Sequence, residues 1–133
     1  MKTYCTVALS MLTGVAVGAV AVHGLHAQAK APVYYVAEID VKDPEGYAKE
    51  YAPKAQAIIK ASGGRILAVG GAGGMGGKVT AFDGAAPKRA VVQVWDSMEK
   101  IQAWRAKEEY KELRKMGEKY ATFRAFAIEG LPE

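Results

Sequence analysis

From Thr3 to Ala29 the chain carries no lysine, arginine, aspartate or glutamate, and from Lys30 onward charged residues are frequent. That change divides the sequence into two parts of different character. Lys2 supplies a basic start, Thr6 to Val22 form an apolar run, and Ala27-Gln28-Ala29 closes it with small residues. These are the three parts of a secretory signal, with cleavage expected after Ala29. Residues 1–29 are therefore expected to be removed, leaving residues 30–133 as one exported domain, periplasmic or secreted. The rival is an uncleaved anchor. The apolar run approaches the length that spans a bilayer, and Gly14 and Gly18 form a small-xxx-small pair. Its alanines and glycines are weakly hydrophobic, which favours cleavage and no stable membrane insertion afterwards.

Processing at Ala29 decides which chemistry the rest can use. Cys5, His23 and His26 are the chain's only cysteine and histidines, and all precede the expected cut. The mature domain then has no disulfide framework, no thiolate nucleophile, no Ser-His or Cys-His pair and no imidazole ligand. No metal and no cofactor is expected. A formal charge of +4 is modest, and basic and acidic residues alternate after Asp96 rather than clustering, which argues against nucleic acid as a partner.

About a hundred residues build a single core. Val33 to Val41 alternate, with Val33, Tyr35, Ala37, Ile39 and Val41 apolar, as in a strand with one buried face. Asp43-Pro44 caps a helix on which Tyr47, Tyr51, Ala55, Ile58 and Ile59 recur at helical spacing until Ser62-Gly63-Gly64, and Pro53 inside it predicts a kink. A short strand from Arg65 to Val69 leads into a glycine-rich run, Gly70 to Lys78. Gly71, Gly73 and Gly76 fit G-x-G-x-x-G, but a phosphate cradle needs a helix to start there. Residues 78–82 read instead as strand and Asp83-Gly84 as a turn, so the run is expected to be a flexible connection between strands.

Lys88 to Trp95 is a further strand. Asp96-Ser97 caps a helix carrying Met98, Ile101 and Trp104, and after a break beyond Ala106 a second helical piece carries Tyr110, Leu113, Met116 or Gly117, and Tyr120. Residues 122–129 form the last strand. The order β-α-β-(β)-β-α-α-β predicts an α+β ferredoxin-like sandwich, an antiparallel sheet with helices on one face.

The other face is expected to show Tyr34, Val36, Glu38 and Asp40 from the first strand, joined by Arg65, Leu67 and Val69, by Val91, Gln93 and Trp95, and by Arg124, Phe126 and Ile128. That mixture is too apolar for open water and too charged for a core. It predicts a homodimer through the open sheet face that encloses a small organic ligand.

Gly63-Gly64-Arg65-Ile66-Leu67-Ala68, Gly70-Gly71, Pro87-Lys88-Arg89 before Val91-Val92, Ser97, Ala103-Trp104 and Glu109-Tyr110 together resemble the domain of unknown function 1330 family over roughly residues 33–131. The resemblance implies a subunit of the dimeric α+β barrel superfamily, two sheets pairing face to face, and no established reaction. Two features depart from the family. The segment from Gly70 to Gly77 is longer than a compact connection, and Gln93-Val94-Trp95 stands where an acidic residue and a phenylalanine are usual. Relatives in the wider superfamily degrade haem, decompose chlorite, isomerise lactones or oxygenate substrates without a cofactor, chemistries that generally use a histidine.

Several side chains are candidates for a site. Arg65 beside the Gly-Gly turn suits an anion through its planar fork, or pairs with a surface carboxylate. Tyr34 and Tyr110 could orient an aromatic ligand, while Tyr47 and Tyr51, four apart on a helix, also suit core filling. Trp95 and Trp104 serve as packing anchors or ligand walls, and Arg124 belongs to the same open face. Glu38, enclosed by a partner sheet, is the candidate general base. The reading favoured is a small-molecule-binding or accessory protein; the alternatives are a cofactor-independent isomerase or monooxygenase using Glu38, a tyrosine and Arg65, and a structural envelope protein without a ligand.

Overall fold

A computed structural model describes residues 31–133. The expected signal segment, its cleavage site and the anchor alternative lie outside the described residues. Strand β1 (Val33–Val41) follows its alternation: Val33, Tyr35, Ala37, Ile39 and Val41 are buried on one face. Asp43 then accepts a hydrogen bond from the Gly46 amide and starts α1 (Pro44–Gly46).

The expected kink at Pro53 takes the form of a π-helical turn, Tyr47–Tyr51, ahead of α2 (Ala52–Ala61). Proline has no N–H to offer the carbonyl four residues back and its ring crowds that carbonyl. The backbone widens by one residue, and the Ala52 amide donates to the Tyr47 carbonyl. Tyr47 and Tyr51 both end up buried.

Strand β2 (Arg65–Gly71) and strand β3 (Arg89–Trp95) follow. Ser97 caps α3 (Met98–Ala106), accepting from the Lys100 amide at 3.2 Å. Extended backbone at Lys107 makes the expected break before α4 (Glu108–Gly117), and β4 (Ala121–Glu129) ends the fold. The sheet order is β2-β3-β1-β4 with every neighbouring pair antiparallel. Two β-α-β units are thereby interleaved, each skipping the strand that lies between its own two. This is the ferredoxin-like α+β arrangement, with the core between the sheet and the helices.

Two expectations are corrected. Residues 78–82 form no strand; the only pairing in the connection is an isolated bridge between Gly70 and Gly77. The face of β3 is also reversed. Its register sets Val33 opposite Trp95, Tyr35 opposite Gln93 and Ala37 opposite Val91, and residues directly opposite one another share a face. Val91, Gln93 and Trp95 therefore point to the helices with β1's buried residues, not to the open face. In β2 a register shift between Ile66 and Ala68 leaves Leu67 exposed while Val69 turns inward opposite Val91. The open face consists instead of Tyr34, Val36, Glu38 and Asp40, with Ala90, Val92 and Val94, with Arg124, Phe126 and Ile128, and with Arg65.

Trp95 is 1% exposed, stacks on Trp104 at 4.9 Å and donates from Nε1 to Gln93 Oε1 at 2.9 Å. Truncating it leaves a large cavity beside an unsatisfied amide. Trp95→Ala is expected to lower unfolding stability by about 3–5 kcal/mol, measured by urea denaturation; a loss under about 1 kcal/mol would contradict this placement in the core.

Candidate functional site

Between the sheet and the helices lies a cavity of about 60 Å³. Its floor is the inward face of β1 and β3, contributing Tyr35, Ala37, Ile39, Arg89, Val91 and Gln93. Its roof comes from the π-turn tyrosines Tyr47 and Tyr51, from Trp104 on α3, and from Tyr110, Leu113 and Arg114 on α4, with Phe123 of β4 at the side. At roughly 10–15 Å³ for each water-sized group, the space holds about four to six of them. Only a slim molecule fits.

The charge of this lining is one-sided. Arg89 and Arg114 are present, and no aspartate or glutamate lines the cavity. Arg114 lies over the Phe123 ring at 3.7 Å. Arg89 is the more unusual, being 1% exposed and, among the described residues, without a carboxylate partner. Its Nη1 donates to the Ala72 carbonyl at 3.3 Å and its Nη2 to the Met75 carbonyl at 3.2 Å. The guanidinium carbon sits 5.4 Å from the centre of the Tyr47 ring. Nε has no acceptor.

The glycine-rich segment is therefore neither a phosphate cradle nor a loose connection. It turns carbonyl oxygens, not amides, toward a buried cation. Backbone bonds fix it: Gly71 N–H to Gly77 O at 3.1 Å, Gly77 N–H to Val69 O at 2.8 Å, and Ala72 N–H to Lys88 O at 2.9 Å. Gly73, at φ 93°, lies against Tyr47, where a Cβ would come within 2.8 Å of the ring. The extra length of Gly70 to Gly77 builds the support for Arg89.

Burial pushes the Tyr35 hydroxyl up to about 12, reinforced by neighbouring Tyr110 and opposed by Arg105 and Arg114. Its oxygen accepts from Arg105 Nη1 at 2.8 Å. Burial also raises Tyr47, against the pull of Arg89, and raises Tyr51, against Arg114. Trp104 Nε1 is buried with no hydrogen-bond partner, and the buried Tyr110 hydroxyl neighbours that of Tyr35. The lining thus includes indole and guanidinium donors, and burial keeps Tyr35, Tyr47 and Tyr51 protonated at neutral pH.

Of the side chains singled out in the sequence, Tyr34, Glu38, Arg65 and Arg124 lie together on the open face, away from this cavity. Glu38 is bound to Arg124 there at 2.8 Å. Tyr110 lines the cavity; Trp95 backs its floor without lining it. Sequence reasoning passed over Arg89, Arg114 and Tyr35 as site residues and set Gln93 on the opposite face. In β3 the signal was parity: Arg89 and Gln93 fall on the same alternate positions of β3 as Trp95, so a strand whose tryptophan is buried must bury an arginine too. Among the described residues no group of three or more histidine, cysteine, aspartate or glutamate side chains is placed to hold a metal, and no helix is long and apolar enough to cross a membrane.

The fold has solved relatives. SnoaB, a cofactor-independent oxygenase from Streptomyces nogalater, superposes with a TM-score of 0.55 at 12% identity, over 77% of this chain and 96% of that one. RPA0582, a protein of unknown function from Rhodopseudomonas palustris, does so with a TM-score of 0.53 at 14% identity, over 78% of this chain and 85% of that one. At such identities the likeness concerns the ferredoxin-like α+β fold alone. No curated protein is similar in sequence at a significant level. The family model described as domain of unknown function 1330 matches residues 32–131, nearly the whole described region, and the chain belongs to that family.

Proposed function

We propose that this is an exported, homodimeric binding protein whose cavity between sheet and helices takes a small organic anion. The observation that carries the reading is Arg89, a guanidinium buried without a carboxylate in a cavity with a second arginine and no acid. Burying an unneutralised charge costs several kcal/mol, and two carbonyls with one aromatic face return only part of that. An anionic oxygen at Nε would complete the set, and a fully charged, planar fork is the side chain best suited to hold a carboxylate.

Export rests on the charge-poor start of the sequence and its A-x-A site. Dimerisation is supported by the open face, where Phe126 is 41% and Ile128 is 53% exposed beside the half-buried valines Val36, Val92 and Val94. A contiguous apolar strip flanked by the Glu38–Arg124 ion pair is the composition of an interface. The oxygenase name carried by SnoaB offers a second reading, a cofactor-independent enzyme. Glu38 and Arg65, its expected acid–base and anchoring groups, lie across the sheet from the cavity tyrosines. Chemistry through them would belong to the face that a second subunit covers.

Straight-chain carboxylates of two to four carbons are expected to raise the melting temperature of the protein, and the matching primary amines to leave it unchanged. Arg89→Met, similar in length and uncharged, is expected to weaken carboxylate binding at least tenfold by calorimetry with an unchanged far-ultraviolet spectrum. Undiminished binding by that variant would remove the basis of the reading.

The tyrosines set an alkaline limit. Their folded pKa values lie above the ordinary 10, so the folded state holds these protons more tightly than the unfolded chain. The stability they contribute is complete below pH 10 and is lost as pH rises through 10 toward about 12. Urea midpoints are expected to be level up to about pH 9 and to fall above it, and Tyr35→Phe to flatten part of that fall. Sedimentation at micromolar concentration is expected to show a dimer, with Phe126→Glu giving a folded monomer; a wild-type monomer would defeat the dimer proposal.

A further inference from the structure

Between Gly77 and Lys88 the connection from β2 to β3 has no regular structure, and no backbone hydrogen bond among the described residues joins residues 78–87. All of them but Val79 and Pro87 are exposed. Asp83-Gly84 lies near the middle of this stretch. Gly84 sits at φ 71° with nothing within 4 Å of where a Cβ would be, so no neighbour limits its backbone. The other described aspartates are held. Asp40 pairs with Lys88 at 3.0 Å, and Asp96 pairs with Lys100 at 2.9 Å ahead of the Ser97 cap. Asp43 accepts from the Gly46 amide at 3.1 Å and is followed by a proline, which has no N–H. Among the described residues no ion pair or hydrogen bond engages Asp83.

We infer that Asp83-Gly84, in the connection that leads into Arg89, is a site of spontaneous backbone rearrangement to isoaspartate. The Gly84 backbone nitrogen attacks Asp83 Cγ. The N–Cγ bond forms, a Cγ–O bond breaks, and the displaced oxygen leaves as water with the amide proton and the proton of the acid. A five-membered succinimide ring results, and glycine is the residue that obstructs its closure least, having no side chain beside the attacking nitrogen. Water then opens the ring at either carbonyl. Breaking N–Cγ restores aspartate; breaking the bond from nitrogen to the Asp83 main-chain carbonyl carbon leaves the chain running through Cβ and Cγ, one methylene longer, with the carboxylate on Cα. One water is lost and one regained, so the mass and the charge are unchanged and only solvent takes part. The chemistry is independent of the anion site.

The test follows the full chain at neutral pH and physiological temperature over several weeks, folded and in guanidinium chloride. Mass spectrometry quantifies the two linkages after digestion by an endoproteinase that cuts only before α-linked aspartate. In the folded protein Asp83 is expected to rearrange about tenfold faster than Asp96, because a residue held by even one net hydrogen bond reaches the reactive conformation that much less often. In denaturant Asp83 is expected to keep nearly its folded rate, whereas Asp96 accelerates. A transient species one water lighter marks the ring. Asp83→Glu, which would need a six-membered ring, is expected to remove both the ring and the product. A folded Asp83 that stays α-linked while the denatured one rearranges overturns the inference, as does equal rearrangement at Asp83 and Asp96 in the folded protein.

Discussion

Arg89 is a cation placed where water cannot reach it, and much of the surrounding structure follows from keeping it there. The guanidinium sits against Tyr47 and donates to two carbonyls of the β2–β3 connection. For those carbonyls to turn inward the chain must double back tightly, with glycines at positive φ and amide bonds from Gly71, Ala72 and Gly77 tying the loop to itself and to the ends of β2 and β3. A shorter connection could join the same two strands, since hairpins need only a few residues. The extra residues supply oxygen atoms. They neutralise part of the charge without a carboxylate, which would have closed the site by forming a permanent ion pair.

The other wall depends on a single proline. In a regular helix the amide of residue 53 would bond to the carbonyl of Lys49 and Tyr47 and Tyr51 would stack one turn apart. With Pro53 in place the helix widens before α2. The two rings then meet each other at 5.1 Å, Tyr47 reaches Arg89, and Tyr51 reaches Phe123 at 5.2 Å. Gly117 completes the arrangement, because a Cβ at that position would lie 2.6 Å from the Tyr51 ring. Backbone irregularities on both sides of the cavity thus serve to aim side chains that regular elements would have pointed elsewhere.

How far the sequence disclosed this depends on the range of the interaction concerned. Local signals read correctly: the alternation of β1, the caps at Asp43 and Ser97, the break after Ala106 and the consequences of Pro53 are all decided by residues within a few positions of one another. The ferredoxin-like order follows from them. What did not read correctly was the parity of β3. Of its alternate sets, Arg89, Val91, Gln93 and Trp95 are mixed in polarity while Ala90, Val92 and Val94 are wholly apolar, so hydrophobicity alone does not favour burying the first set. Pairing with β1 decides the matter, and that is a contact between residues more than fifty positions apart. The strand expected at residues 78–82 failed for the opposite reason. Val79 and Phe82 give it strand-like composition, but β2 finds its partner in β3, and no strand pairs with those residues. Arg89 itself was visible only as part of a short motif, because an arginine reads as surface until its neighbours' burial is known.

The sheet separates two kinds of chemistry by parity. Along β1, odd positions enter the aromatic cavity and even ones form the open face, so Tyr35 and Tyr34 are neighbours in sequence with unrelated surroundings. The same division runs through β3 and β4. Charge is treated differently on the two sides: the open face pairs Glu38 with Arg124 and Asp40 with Lys88 among solvent-exposed groups, where such pairs contribute little energy but fix register between surfaces. The cavity side gives Arg89 two backbone carbonyls and an aromatic face, and no carboxylate. On the function proposed above, the fold pairs its charges where they are cheap to expose, keeps the buried guanidinium for a ligand on the inner side of the sheet, and leaves the outer side to meet a second copy.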